Sequence, residues 1–197
     1  MSNWTHVAGT IRVDGHPWTE EQFKKVFGEP FESYYWDTEA HNRELAEHPE
    51  RFMPTDDGGH PIEITRWSND DPCCAVMYTF TLFADLRGYE DTQEITDYFI
   101  RVCNNIGGLD IRQVCLSAYN EFKEKVQVVT TIPYDFSDHK LAITTYEKGV
   151  VTNTEYVELS EYSQVGLHDY IKEARSNKSE SDEKLTNLMT SSQEEIL

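Results

Sequence analysis

A chain of 197 residues is long enough for one domain with a sizeable core, and 12 % aromatic content argues against a disordered polypeptide. Its 36 acidic and 17 basic side chains leave a formal charge of −19. Such a surface repels nucleic acid and anionic membranes and steers encounters with basic ones.

The charge is uneven. Residues 1–100 carry 20 acidic against 7 basic side chains, residues 101–154 carry 6 of each, and residues 155–197 carry 10 against 4. No apolar run approaches the ~20 residues that span a bilayer. The opening Met1-Ser2-Asn3-Trp4-Thr5-His6 lacks a basic segment followed by an apolar one. The expectation is a cytoplasmic protein. Cys73, Cys74, Cys103 and Cys115 show no CxxC or zinc-ribbon spacing and fall in or beside expected core elements, so they read as reduced, buried thiols.

Trp4 to Val13 reads as a strand, with Val7, Ile11 and Val13 on one face and Trp4, His6 and Arg12 on the other. Asp14 to Pro17 turns it. Thr19 and Gln22 form a capping-box pattern for a short helix that buries Phe23, Val26 and Phe27 and closes at Gly28. An aromatic stretch, Phe31, Tyr34, Tyr35 and Trp36, then leads into a charged surface helix from about Asp37 to His48. Pro54 to Pro61 is a loop by composition. Ile62 to Trp67 reads as a short edge strand, and Ser68 to Pro72 as an acidic turn.

From Ala75 to Leu86 the alternation is strong. Val76, Tyr78, Phe80 and Leu82 make an apolar face, and Met77, Thr79, Thr81 and Phe83 a mixed one. Asp85 to Asp91 reads as a loop. The helix that follows carries Ile95, Tyr98, Phe99, Val102 and Ile106 on one stripe, with Asp91 and Glu94 as its capping box and Gly107-Gly108 as its end. Ile111 to Phe122 and Val126 to Tyr134 read as paired strands, and Ala142 to Tyr146 with Val150 to Tyr156 as a hairpin. Leu167, Tyr170, Ile171 and Ala174 mark a last helix.

This order predicts an α+β fold: an antiparallel or mixed sheet with helices on one face. Its core is ferredoxin-like, with residues 28–72 inserted and a hairpin appended. Residues 1–175 form the expected domain, and 176–197 an acidic, Ser-rich tail or attachment helix.

Catalytic signals are absent. His41 and His48 lie two turns apart on their helix, too far to share an ion without a third ligand, and His60 beside Asp56 and Asp57 adds no metal-ligand spacing. Asp56-Asp57-Gly58-Gly59 lacks the alternating ligands of a calcium loop. There is no GxSxG, and Cys73-Cys74 has no basic neighbour to lower a thiol pKa. No enzyme activity, metal or cofactor is expected. Two loops attract attention. Arg87, in the Asp85–Asp91 loop, could clamp an anion, but pairing with Asp85 or Asp91 is the plainer reading. Asp56, Asp57, Asp70 and Asp71 flank one short strand and could line a rim spaced like phosphates.

The segments Trp4-Thr5-His6-Val7-Ala8-Gly9-Thr10-Ile11-Arg12-Val13-Asp14 and Phe83-Ala84-Asp85-Leu86-Arg87-Gly88-Tyr89 resemble two motifs of a group of bacteriophage-encoded proteins without an assigned activity. In those relatives the loop matching Thr55 to Pro61 is richer in Gly, Ser and Glu, where this chain has Asp56-Asp57-Gly58-Gly59-His60. The resemblance implies a phage protein made inside a bacterial cell. With the acidity, the expectation is a non-enzymatic accessory protein that blocks a host defence factor, such as a CRISPR nuclease or restriction system, by mimicking nucleic acid. Its partner would be a basic nucleic-acid-binding surface, met by Tyr34, Tyr35, Trp36, Asp37, Glu39, Asp56, Asp57, Asp70, Asp71, Asp85 and Arg87. The alternatives are capture of an anionic nucleotide-like signal through Arg87, Arg12 and aromatic stacking, and a virion structural or assembly role. Association through a strand edge is also open to such a chain.

Overall fold

The computed structural model describes residues 3–15, 18–29, 43, 47–48, 51–68, 76–132 and 139–165. Contacts group residues Met1–Val165 into one unit. The expected tail at 176–197 and the expected helices near 37–48 and 167–174 lie largely or wholly outside the described residues.

Seven strands are described, β1 (Trp4–Gly15), β2 (Glu63–Ser68), β3 (Val76–Arg87), β4 (Ile111–Asn120), β5 (Lys125–Thr131), β6 (Lys140–Glu147) and β7 (Val150–Glu158), with two helices, α1 (Glu20–Phe27) and α2 (Gln93–Ile106). The strands form one sheet in the order β2-β3-β1-β4-β5-β6-β7, antiparallel throughout. This overturns the expected α+β layering with its ferredoxin-like core: the molecule is dominated by the seven-stranded sheet, and its helices are short. The reason lies beyond β3. The paired strands expected within a ferredoxin-like core and the hairpin expected as an appendage are consecutive neighbours, each continuing the same sheet. Alternation fixes which face a side chain takes, but not which sheet edge its strand joins.

The buried face is built from β1, β3, β4, β5 and β6. Ile11, Phe80, Leu82, Leu86, Leu116, Val129, Leu141 and Ile143 all lie inside. Over β1 and β3 the rings of Trp18, Phe23, Phe27 and Phe80 pack together, with Trp18 and Phe27 each 4.9 Å from Phe80. The α1 capping box forms as expected between Thr19 and Gln22, and Gly28 ends that helix at φ +84°. The Tyr98 hydroxyl of α2 donates to the Phe27 carbonyl at 3.0 Å, joining the helices. On the same face, Thr92 and Thr96 donate to the Gln127 side-chain oxygen at 2.5 and 3.1 Å, so three buried polar groups satisfy one another.

The opposite face is open among the described residues. One row runs Phe83, Ala8, Ser117, Val128, Thr144 and Thr154 across six strands, each residue paired with the next. Trp67, Phe83, Tyr119 and Tyr156 stand exposed there. Cys115 is also exposed, which corrects the expectation that it is a buried thiol; Cys103 is buried, and burial pushes its thiol up to about 12. No helix among the described residues is long and apolar enough to cross a membrane.

Candidate functional site

The segments that begin at Trp4 and Phe83 meet as neighbouring strands. Trp4 of β1 lies opposite Arg87 of β3, and His6 opposite Asp85. On its other side His6 faces Tyr119 of β4, and its ring stacks on the tyrosine at 5.8 Å between centroids and 22° between planes. The chain turns just after β4, where the Glu121 amide donates to the Trp4 carbonyl at 3.0 Å. That turn brings a second carboxylate to the histidine. His6 Nδ1 lies 2.5 Å from Asp85 Oδ1, and Nε2 lies 2.9 Å from Glu121 Oε1.

A ring with a carboxylate on each nitrogen donates from both, which only the imidazolium can do. The hydrogen bond to Asp85, then that to Glu121, raises the His6 pKa above its ordinary value; burial opposes them only in part. An imidazolium with both protons committed to carboxylates is a poor general base. The cluster is a charged structural knot at one end of the open face, with more negative than positive charge. Its folded-state pKa is raised, so the stabilisation is fully present below the unfolded value of about 6.5 and is lost as pH rises through the folded pKa. The melting temperature of the wild type should therefore exceed that of His6→Gln most at mildly acidic pH, and the gap should close on alkaline titration. A gap independent of pH would contradict the imidazolium.

The loop expected at Pro54 to Pro61 docks beside this knot. Its two aspartates have different jobs. Asp56 faces inward and accepts from the Gly58 and His60 amides, both at 2.8 Å, and from His60 Nδ1 at 3.1 Å. Burial alone would raise its pKa, yet the His60 and Gly58 donors hold it below the usual range. Asp57 reaches outward to Arg87, with Oδ2 3.4 Å from Nε, and its amide donates to the Arg87 carbonyl at 3.2 Å. The turn beyond is shaped for the loop: Gly88 has φ +103°, and a Cβ there would lie 2.1 Å from Asp57 Oδ1. The Tyr89 hydroxyl closes the contact by donating to the Thr55 carbonyl at 3.0 Å.

Several expectations change here. Arg87 pairs with Asp57, and not with Asp85 or Asp91. Strand β3 runs on to Arg87, so Asp85 belongs to a strand and not to a loop. The expected Asp91–Glu94 capping box does not form, and Thr92 is the N-cap. Instead the Asp91 carboxylate accepts from the Thr92 amide at 2.6 Å and pairs with Lys123 at 3.1 Å and Lys125 at 2.7 Å. The rim of four phosphate-like carboxylates loses Asp56 to its own loop. Tyr34, Tyr35, Trp36, Asp37, Glu39, Asp70 and Asp71 lie outside the described residues.

Of the expected site residues, the structure thus gathers Asp57, Asp85 and Arg87 at one end of the open face and adds His6, Tyr119 and Glu121. Asp85 is 73 % exposed and the Glu121 side chain is half in solvent. Phe83 and Phe122, both exposed, lie along the same face and at the next turn. Sequence reading missed His6 and Glu121 because they are 115 positions apart. The one available signal was that His6 falls on the outward phase of β1.

A cavity of about 520 Å³ opens at the far end of β4, lined by Gly108, Ile111, Arg112, Thr131, His139 and Leu159 among others. Its two strongest cations are already matched, Arg112 by Asp14 at 2.5 Å and Lys140 by Glu158 at 3.6 Å. Among the described residues no group of three or more His, Cys, Asp or Glu side chains could hold a metal ion. No family model, curated protein or solved structure matches this chain.

Proposed function

We propose that this chain is a non-enzymatic phage accessory protein of the bacterial cytoplasm. It binds a basic, nucleic-acid-handling surface of a host defence factor and blocks it. The observation that carries this reading is the pair of exposed carboxylates of Asp85 and Glu121, which outnumber the one imidazolium between them at one end of the open face, with Phe83, Tyr119 and Phe122 beside them. Exposed aromatic anchors next to carboxylates are what a groove built for nucleic acid would accept. The overall charge of −19 adds steering toward such a groove.

Capture of an anionic nucleotide draws less support. Arg87 is neutralised by Asp57, and Arg12 rests its guanidinium on the Met77 sulfur at 3.8 Å. The test is a titration against purified CRISPR nucleases and restriction enzymes, with and without their nucleic acid. Binding should compete with nucleic acid and weaken as salt rises. Reversing two exposed charges with Asp85→Lys and Glu121→Lys should cost at least about tenfold in affinity, about 1.4 kcal/mol. Salt-independent binding that survives both reversals would refute charge mimicry.

A further inference from the structure

Strand β7 forms one edge of the sheet and has no neighbour on its outer side among the described residues. Nearly its whole length is exposed, including Val150, Val151 and Tyr156, the last at 64 %. Val150-Val151-Thr152-Asn153-Thr154-Glu155-Tyr156-Val157-Glu158 is rich in β-branched and aromatic residues. It contains no Lys, Arg or Pro, three of the residues that commonly guard an edge. Its one irregularity is near the start, where the register against β6 shifts between Thr145 and Tyr146 and leaves Thr152 as the extra residue. From Asn153 to Glu158 the edge is regular.

We infer that β7 pairs with β7 of a second copy of this chain, continuing the sheet across a two-fold axis. The inference is independent of the proposed host partner. Two identical antiparallel edges related by an axis through the sheet must set each residue opposite one that points to the same face. The axis then passes through a residue, and only a few choices remain. Centring on Glu155 would oppose that carboxylate to itself, which is destabilising. Centring on Thr154 sets Tyr156 against the extra residue Thr152. Centring on Tyr156 has neither fault. Tyr156 meets Tyr156 of the second copy, Glu155 meets Val157, and Thr154 meets Glu158, so no acid faces an acid. Glu158 is also held by Lys140, which lowers its charge toward the incoming strand. The tyrosine pair would lie on the open face, next to Ala142.

The pairing is short, so the interface falls below the usual size and affinity is modest. Two copies of charge −19 repel one another, and added salt should therefore tighten the dimer. That sign is opposite to the one expected for a basic partner, which keeps the two readings separable. Sedimentation velocity across protein and salt concentration should show a dimer that grows with both. Tyr156→Lys, an exposed edge substitution, should abolish it. The register is tested by oxidising Tyr156→Cys in a background with Cys73, Cys74 and Cys115 replaced by Ser. Residues directly opposite across an antiparallel pair sit about 4.5–5.5 Å apart at Cα, within disulfide reach. A rapid disulfide-linked dimer is expected there, and none from Val151→Cys, which this register places beyond the paired segment. A monomer at every concentration, a dimer indifferent to Tyr156→Lys, or equal cross-linking at position 151 would overturn the inference.

Discussion

Gly9→Ala should destabilise this protein by about 3–4 kcal/mol, a large part of what holds an ordinary domain together. Gly9 sits in the middle of β1, between Leu82 of β3 and Leu116 of β4, both fully buried. Its φ is +153°, and a Cβ at that position would lie 2.2 Å from the Cys115 carbonyl oxygen and 2.6 Å from the Leu116 Cα. Both are backbone atoms of a strand paired on each side, so neither can swing away as a flexible side chain would. The new methyl group must push β4 off β1 and loosen the hydrogen bonds between them. Gly149→Ala separates this steric cost from the conformational one. Gly149, in the β6–β7 turn, has φ +78° with nothing within 4 Å of a Cβ, so alanine there should cost only about 1 kcal/mol. Urea unfolding of both variants gives the comparison. Equal losses at the two positions would mean that β1 and β4 are less closely apposed than described.

The same strand shows how far the sequence could be read. Elements whose signal is local came through: the outward and inward phases of β1 and β3, the stripe of α2, the Thr19–Gln22 box and the glycine ends of both helices. Each depends on residues within a turn or two of one another. What depended on distant partners did not. Asp91 and Glu94 have the spacing of a capping box, but Lys123 of the β4–β5 turn and Lys125 at the start of β5 claim Asp91 instead. Arg87 has acids two and four residues away, yet its partner is Asp57, which a loop thirty positions earlier folds back to it. Asp56 and Asp57 are chemically identical neighbours. One is spent on its own turn and the other on β3, and nothing in their order distinguishes them. The layering failed for the same reason. Strands β4 to β7 are each recognisable, but their consecutive pairing into one wide sheet is a property of edges that composition does not encode.

Phe80→Ala and Phe83→Ala, three positions apart on one strand, should have opposite consequences. Phe80 is fully buried, with the rings of Trp18 and Phe27 each 4.9 Å away and those of Tyr78 and Phe23 at 5.9 and 6.1 Å. Removing it leaves a cavity that four neighbours, anchored on β3, α1 and the segment before α1, cannot collapse to fill. The expected loss is about 3–5 kcal/mol, enough to lower the thermal midpoint by roughly 6–20 °C on the usual scale of about 2–4 °C per kcal/mol for a domain of this size. Phe83 points the other way. It is 44 % exposed, in the row with Ala8 and Ser117 on the open face, two residues from the Asp85–His6–Glu121 knot. Its truncation should change stability by no more than about 0.5 kcal/mol, while weakening capture of a basic partner if that face is where the partner sits. Stability of the two variants can be measured without any partner. A large loss from Phe83→Ala would mean that the open face is packed against something in the folded chain, and the docking surface would have to be sought elsewhere.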